Sequence, residues 1–205
     1  ERRFTSDAAH ELRSPLAALK VQTDVAQLSQ DDPQAREKAL AQLHAGIDRA
    51  SRLVDQLLTL SRLDSLDNLD DVEPITLADL LQSAVLDIWH PAQQAGIDIR
   101  LNNHAPQVKR QGQPLLLSLL VRNLLDNAIR YSPRGSVVDV TLDARSFSVR
   151  DNGPGVDPEV LARIGERFYR PPGQNATGSG LGLSIVRRIA ALHGMRVSLS
   201  NAAEG

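Results

Sequence analysis

The stretch from Phe4 to Lys20 reads FTSDAAHELRSPLAALK and contains one histidine, His10, which is followed by Glu11. Leucines at spacings of four and three residues predict an apolar stripe along a helix: Leu12, Leu16 and Leu19. His10 lies off that stripe, so we expect its ring to face solvent. A neutral imidazole is a nucleophile, and Glu11 can orient it or take its other proton. The alternative is a surface histidine on an ordinary amphipathic helix.

The first helix is predicted to run from residue 1 to about residue 29, with a kink at Pro15, which lacks a backbone donor. Asp32 is a good N-cap and Pro33 suits a first helical position, so a second helix is predicted from there. Its apolar residues form a heptad seam: Leu40, Leu43, Ile47, Ala50, Val54 and Leu57. A two-helix hairpin cannot bury such faces alone, so pairing with a second copy in a dimeric four-helix bundle is predicted. The alternative is a hairpin packed on the C-terminal part of its own chain.

Composition limits the class of protein. A chain of 205 residues suits one large or two modest domains, and its 3% aromatic content predicts an aliphatic core that favours helices. The net charge of −2 gives no support for nucleic-acid binding, and the lack of Cys excludes a disulfide framework and thiolate metal sites. No apolar run reaches the roughly 18 residues of a membrane helix, so this chain is expected to be soluble. Because it starts at Glu1 rather than Met, we expect it to be a piece of a longer protein.

The C-terminal two thirds mix helical and strand patterns. Residues 65–74, SLDNLDDVEP, are predicted to be a linker, and a helix capped by Thr76 and Asp79 is predicted to run to about Trp89. Strands are predicted at 97–101, 138–142, 147–149 and 196–199, and helices at 114–131, 158–167 and 182–193. This order predicts an α/β sandwich with helices on one face of a sheet. The end of the sequence soon after a predicted strand suggests that a further edge strand is missing.

Two glycine-rich segments indicate a phosphate site. DNGPG at 151–155 follows a predicted strand, and GSGLG at 178–182 directly precedes a predicted helix. Glycines at a helix N-terminus let the backbone N–H groups approach an anion, and the positive end of the helix dipole favours it. A dinucleotide-binding fingerprint is excluded because no strand runs directly into GSGLG, and no Walker lysine is present.

Two asparagines on the helix predicted at 114–131 suggest a cation site. Asn123 and Asn127 are four residues apart on one face, and Arg130 follows a turn later. An amide oxygen is a neutral, hard ligand that suits a Mg²⁺ held mostly by phosphates and water. The alternative is a pair of capping or bridging amides inside the fold, since buried amides need hydrogen-bond partners.

Taken together, these segments resemble the sensor histidine kinase family over the whole chain. Five motifs in the family's order carry the resemblance: HELRSP at 10–15, NLLDN at 123–127, DNGPG at 151–155, ERFYR at 166–170 and GSGLG at 178–182. The resemblance implies a dimerisation and histidine-phosphotransfer hairpin at 1–66, a linker at 67–74 and a Bergerat-type (GHKL) ATP-binding α/β sandwich at 75–205. It also implies the cytoplasmic portion of a bacterial inner-membrane sensor kinase.

The same resemblance implies a protein histidine kinase that uses ATP and Mg²⁺. His10 would accept the phosphoryl group with Glu11 as its base, and would pass it to an aspartate of a response regulator. The chain would also remove phosphate from that partner, although Ser14 stands where the family usually has Thr or Asn. The implied nucleotide contacts are Asn123, Asn127, Arg130, Tyr131, Asp151, Gly153, Gly155, Arg170, Gly178, Gly180, Leu181 and Gly182.

Individual roles follow from the family pattern. Asn123 would ligate Mg²⁺, with Asn127 close to the same ion, and Arg130 would contact phosphate. Asp151 would accept a hydrogen bond from the adenine amine. A carboxylate only accepts, which favours adenine over guanine at that position. Residues 171–177, PPGQNAT, would form a mobile lid over ATP.

Two other classes of protein stay open at this point. One is an ATP-hydrolysing conformational machine, like the chaperones and topoisomerases that share the Bergerat fold. Those proteins have a glutamate four residues before the second asparagine, whereas this chain has Asn123, whose amide cannot take a proton from water. The other is a scaffold that binds ATP without transferring its phosphate.

Overall fold

A computed structural model describes residues 2–171 and 178–202, and divides into two compact units between Ser61 and Arg62. The first unit contains α1 (Arg2–Leu28) and most of α2 (Pro33–Asp64). Both predicted helices are confirmed. Asp32 caps α2 as predicted, since its Oδ1 accepts a hydrogen bond from the Ala35 N–H at 3.0 Å.

The two hairpin helices approach closely at Gly46, where a Cβ atom would lie 2.7 Å from Cδ2 of Leu19. The predicted heptad seam divides into two rows. Its residues Leu43, Ala50 and Leu57 are half-buried or buried, whereas Leu40, Ile47 and Val54 are 39%, 47% and 39% exposed. The hairpin therefore keeps an apolar row on its own surface, which we call the exposed stripe: Leu40, Ile47 and Val54.

The second unit begins with the last turn of α2 and alternates strands with helices. Its further elements are β1 (Glu73–Thr76), α3 (Leu77–Ala95), β2 (Asp98–Asn103), β3 (Lys109–Gly112), α4 (Pro114–Tyr131), β4 (Val137–Leu142), β5 (Phe147–Arg150), α5 (Pro158–Arg163) and α6 (Gly182–Leu192). In the larger sheet β4 lies between β2, which is parallel to it, and β5, which is antiparallel. A smaller antiparallel sheet pairs β1 with β3.

The core of this unit lies between β4 and the helices. Val138, Val140 and Leu142 of β4 are fully buried, as the predicted alternation requires. α4 packs against both α3 and α6, and it buries Leu120 and Leu125. Burial of one strand face under helices confirms the predicted α/β sandwich.

Three details of the predicted helices are wrong. Thr76 makes no side-chain cap, because it ends β1 and the following Leu77 N–H donates instead to Val108 O. α3 continues through Pro91 to Ala95, because its buried face runs on from Ile88 to Ala92 and the left-handed Gly96 ends it only there. α5 ends at Arg163 rather than at residue 167, because Gly165 adopts a left-handed φ of 93° that stops a helix.

The predicted strands also need correction. β1 lies partly within the predicted linker at 65–74, and β3 was not predicted at all. The strand predicted at 196–199 is not formed. Those residues alternate between exposed and half-buried, but they pair with no strand in the described part of the chain.

Within residues 2–171 and 178–202, none of the helices combines the length and the apolar character needed to cross a membrane.

Candidate functional site

His10 is exposed on α1, as its position off the leucine stripe predicts, and Glu11 beside it is half-buried. Ser14 follows one helical turn later and is also exposed. Its side chain lies on the wall of a groove of about 550 Å³ between α1 and α2, opposite Gln42 and Arg49. An exposed imidazole and an exposed hydroxyl thus share one side of α1.

Asn123 of α4 lies at the N-terminus of α6. Its Nδ2 donates to Leu119 O at 2.8 Å, which leaves the amide oxygen for another partner. A Cβ atom on Gly182 would lie 3.2 Å from that oxygen. The amide is therefore held by its own helix, and it presents a hard oxygen ligand beside a helix N-terminus, as a magnesium site requires.

Arg130 lies under the other end of the glycine segment 178–182. A Cβ atom on Gly178 would lie 2.7 Å from Arg130 Nη1, so the guanidinium lies directly against the backbone of the glycine segment. Leu181 between them is fully buried and makes no side-chain cap for α6. The Arg130 guanidinium, the Asn123 amide oxygen and the uncapped N-terminus of α6 therefore meet at one glycine segment. The guanidinium and the helix N-terminus suit phosphate groups, and the amide oxygen suits Mg²⁺.

Asp151 belongs to a second cluster, at the end of β5. Its Oδ1 accepts a hydrogen bond from the Gly153 N–H at 2.8 Å. A Cβ atom on Gly153 would lie 2.8 Å from the carbonyl oxygen of Tyr131, so this glycine is also required by close packing. The carboxylate is exposed and keeps an oxygen that can accept from a ligand amine.

Asn201 supports the same cluster and was not predicted from the sequence. Its Oδ1 accepts from the Val156 N–H at 3.0 Å, and its Nδ2 donates to Val156 O at 2.7 Å. Gly155, whose φ is 71°, turns the chain directly before that pair. No local motif marks Asn201, because its partner lies far away in the sequence.

For the remaining predicted contact residues the structure gives burial and position, which do not fix a role. Asn127 is half-buried on α4, one turn after Asn123, and Arg170 is exposed. The predicted lid, residues 171–177, lies outside the described residues except for its first residue. In the described part of the chain, no group of three His, Cys, Asp or Glu residues could hold a metal ion, and the roles of Asn123 and Asn127 as Mg²⁺ ligands stay predictions.

Comparison with known families places these clusters in context. Residues 1–66 match the His Kinase A (phospho-acceptor) domain, and residues 112–205 match the histidine kinase-, DNA gyrase B- and HSP90-like ATPase. The solved cytoplasmic segment of the histidine kinase QseC is 63% identical, with a TM-score of 0.55, over 76% of this chain and 86% of that one. The chain belongs to the sensor histidine kinase family.

One further relative supports this membership, and a more distant histidine kinase shares the fold. The sensor protein QseC of Salmonella typhi is 82% identical over all 205 residues. This identity confirms the resemblance to QseC-type kinases that the residues of the five motifs suggest. The chain covers 46% of that protein and so spans about half of its length. The histidine kinase ThkA, solved in complex with the response regulator protein TrrA, shares the fold at 20% identity and a TM-score of 0.77, over 94% of this chain and 55% of that one.

Proposed function

We propose that this chain is the catalytic core of a two-component sensor histidine kinase. It binds ATP with Mg²⁺ in the second unit, transfers the γ-phosphoryl group to His10, and passes it to an aspartate of a response regulator. The observation that carries the proposal is the glycine segment, which lies against Arg130 at Gly178 and against Asn123 at Gly182.

Nucleotide binding follows from the two clusters. The N-terminal backbone of α6 and Arg130 attract the phosphates, and Asn123 and Asn127 supply neutral oxygens to Mg²⁺. Bound Mg²⁺ would neutralise phosphate charge. Asp151 accepts from the adenine amine while its Oδ1 is already held by the Gly153 N–H, so its orientation is fixed before ATP arrives.

Phosphoryl transfer needs an exposed nucleophile, and His10 is exposed. A ring nitrogen forms a bond to the γ-phosphorus while the bond from that phosphorus to the bridging oxygen breaks, and ADP leaves. Glu11 orients the imidazole or takes its other proton. Because such a transition state has little covalent chemistry for the protein to perform, positioning and electrostatics supply most of the rate.

The proposal extends to partners. The exposed stripe of α2 supports a homodimer formed through the hairpin, because an apolar row at heptad spacing is a coiled-coil surface. Identity to QseC favours a QseB-like regulator as the partner and the cytoplasmic side of a bacterial inner membrane as the place of action. Ser14 on the face of His10 supports phosphatase activity toward the regulator, because its hydroxyl can position a water molecule.

An ATP-hydrolysing machine is the weaker candidate. Its base would have to lie at position 123, where an asparagine amide donates to Leu119 O and cannot accept a proton from water.

The test is labelling of the chain with γ-labelled ATP. His10→Gln should abolish labelling and leave ATP affinity unchanged, because His10 lies in the first unit and the nucleotide clusters lie in the second. His44→Gln is the matched control, since His44 is also an exposed helical histidine, with Nδ1 bonded to Leu40 O. It should be labelled like the parent.

The same experiment separates the three classes of protein. Free labelled phosphate without labelled protein would indicate an ATPase, and bound but intact ATP would indicate a scaffold. Acid-labile phosphate remaining on His10→Gln would overturn the assignment of His10.

A further inference from the structure

The last turn of α2 lies in the second unit, where an arginine of α6 holds it. Arg188 donates from Nε to Leu63 O at 3.0 Å and from Nη2 to Leu66 O at 2.6 Å. Carbonyl groups at a helix C-terminus lack intrahelical partners, and a cation there also suits the helix dipole. The fork of donors on a guanidinium can satisfy two carbonyls at once.

Asp64, in the same turn, joins a second arginine to this contact. Its Oδ1 lies 2.8 Å from Arg167 Nη2 and 3.9 Å from Arg188 Nε. The three side chains are between 31% and 39% exposed, so water screens them only in part. We call these residues the helix-end clamp: Asp64, Arg167 and Arg188.

The clamp reaches the glycine segment by two routes. Arg167 directly precedes Phe168, whose N–H donates to Gly180 O at 3.1 Å. Phe168 has a φ of 63°, a conformation that a bulky residue adopts only when its surroundings hold it there. The second route is α6 itself, which carries Arg188 and begins at Gly182.

We propose that the helix-end clamp positions the glycine segment 178–182 for phosphate, so that its three members are positioning residues for ATP binding. A displacement of the last turn of α2 then changes the affinity for ATP, because the turn and the segment are joined through Phe168 and through α6. This inference rests on the proposed function, since it assumes that the segment binds the phosphates of ATP.

The test compares Asp64→Asn with Asp67→Asn, an exposed aspartate three residues further along the chain. Asp64→Asn keeps the shape but removes the charge shared by the two arginines. It should raise the Kd for ATP, measured by calorimetry, roughly three- to tenfold. That change lies between the loss expected for an exposed ion pair and the loss expected for a hydrogen bond to a charged group. Asp67→Asn should bind like the parent.

Two further readouts separate positioning from a general loss of stability. Asp64→Glu keeps the charge and should restore affinity to within about twofold, because its longer carboxylate can still pair with both arginines. In Asp64→Asn the amide hydrogen of Phe168 should exchange faster, since its bond to Gly180 O loses its support, while the amides of β4 should exchange as in the parent.

The outcomes are distinct. If the parent chain does not bind ATP, the proposed function fails. If the parent binds ATP and Asp64→Asn binds it equally well, the clamp alone is refuted. Should Asp64→Asn fail to fold, Arg188→Lys carries the test, because lysine keeps the charge but lacks the two-pronged fork. Unchanged affinity in that variant would overturn the clamp.

Discussion

At the scale of the residue, Asp151 shows how one carboxylate is oriented before a ligand binds. The Gly153 N–H donates to its Oδ1 at 2.8 Å. Only glycine fits at position 153, because the Cβ atom of any other residue would clash with Tyr131 O. The conformational freedom of the side chain is therefore already restricted, so little entropy is lost when a ligand amine binds.

The first prediction at this scale concerns Asp151→Asn. The variant replaces a charged acceptor by a neutral amide that also donates, so ATP binding should weaken by about 1.5–3 kcal/mol, the effect of a hydrogen bond to a charged group. Calorimetry measures the change, and Asp87→Asn on the exposed face of α3 is the control. Equal affinity in both variants would show that Asp151 does not contact the nucleotide.

His193 illustrates what the sequence conceals at this scale. Its Nδ1 donates to Ile189 O at 2.8 Å, a bond within the last turn of its own helix. Its Nε2 also accepts the Gln113 N–H at 3.0 Å, which joins the end of α6 to the start of α4. A partner eighty residues away in the sequence leaves no local pattern, so only the fold reveals this second bond.

At the scale of the element, periodicity predicted the strongly amphipathic segments well. The bounds of α4 are those predicted, because its leucines repeat at helical spacing and Gln113 caps it through Leu116 N at 2.7 Å. β1 and β3 were missed because EPIT and KRQG contain almost no buried residues and show no alternation. Their stability comes from pairing with each other, which a local pattern cannot show.

A prediction at this scale concerns the exposed stripe. Ile47→Asp places a charge in an apolar row that a second copy is proposed to cover, so the chain should become monomeric. Sedimentation at equal concentrations measures this change. Arg52→Asp, at an exposed position on another face of α2, should remain dimeric. A monomeric parent chain would refute the dimer.

At the scale of the whole molecule, the two units differ in how they are stabilised. The second has its own buried core around β4, whereas the hairpin keeps apolar side chains such as Leu16, which is 58% exposed. The stability of the hairpin should therefore depend on association, and that of the second unit on its ligand.

Thermal unfolding tests that difference. We expect two transitions, of which one moves to higher temperature as protein concentration rises and the other as ATP and Mg²⁺ are added. At a nucleotide concentration of 100 times Kd the gain should be about 2.7 kcal/mol. A single transition that responds to neither variable would contradict this description, and Ile47→Asp should remove only the dependence on protein concentration.

The position at which α2 ends also matters for the design of chimeric kinases. A foreign hairpin is best joined ahead of Arg62, so that the recipient keeps its own Leu63 and Leu66 carbonyls and its own Asp64. With a junction at residue 67, Arg167 and Arg188 of the recipient would instead contact the helix end of the donor kinase. Chimeric kinases joined at the two positions are therefore expected to differ in nucleotide affinity, although their glycine and asparagine motifs are identical. The difference would come from Leu63, Asp64 and Leu66, which lie outside those motifs.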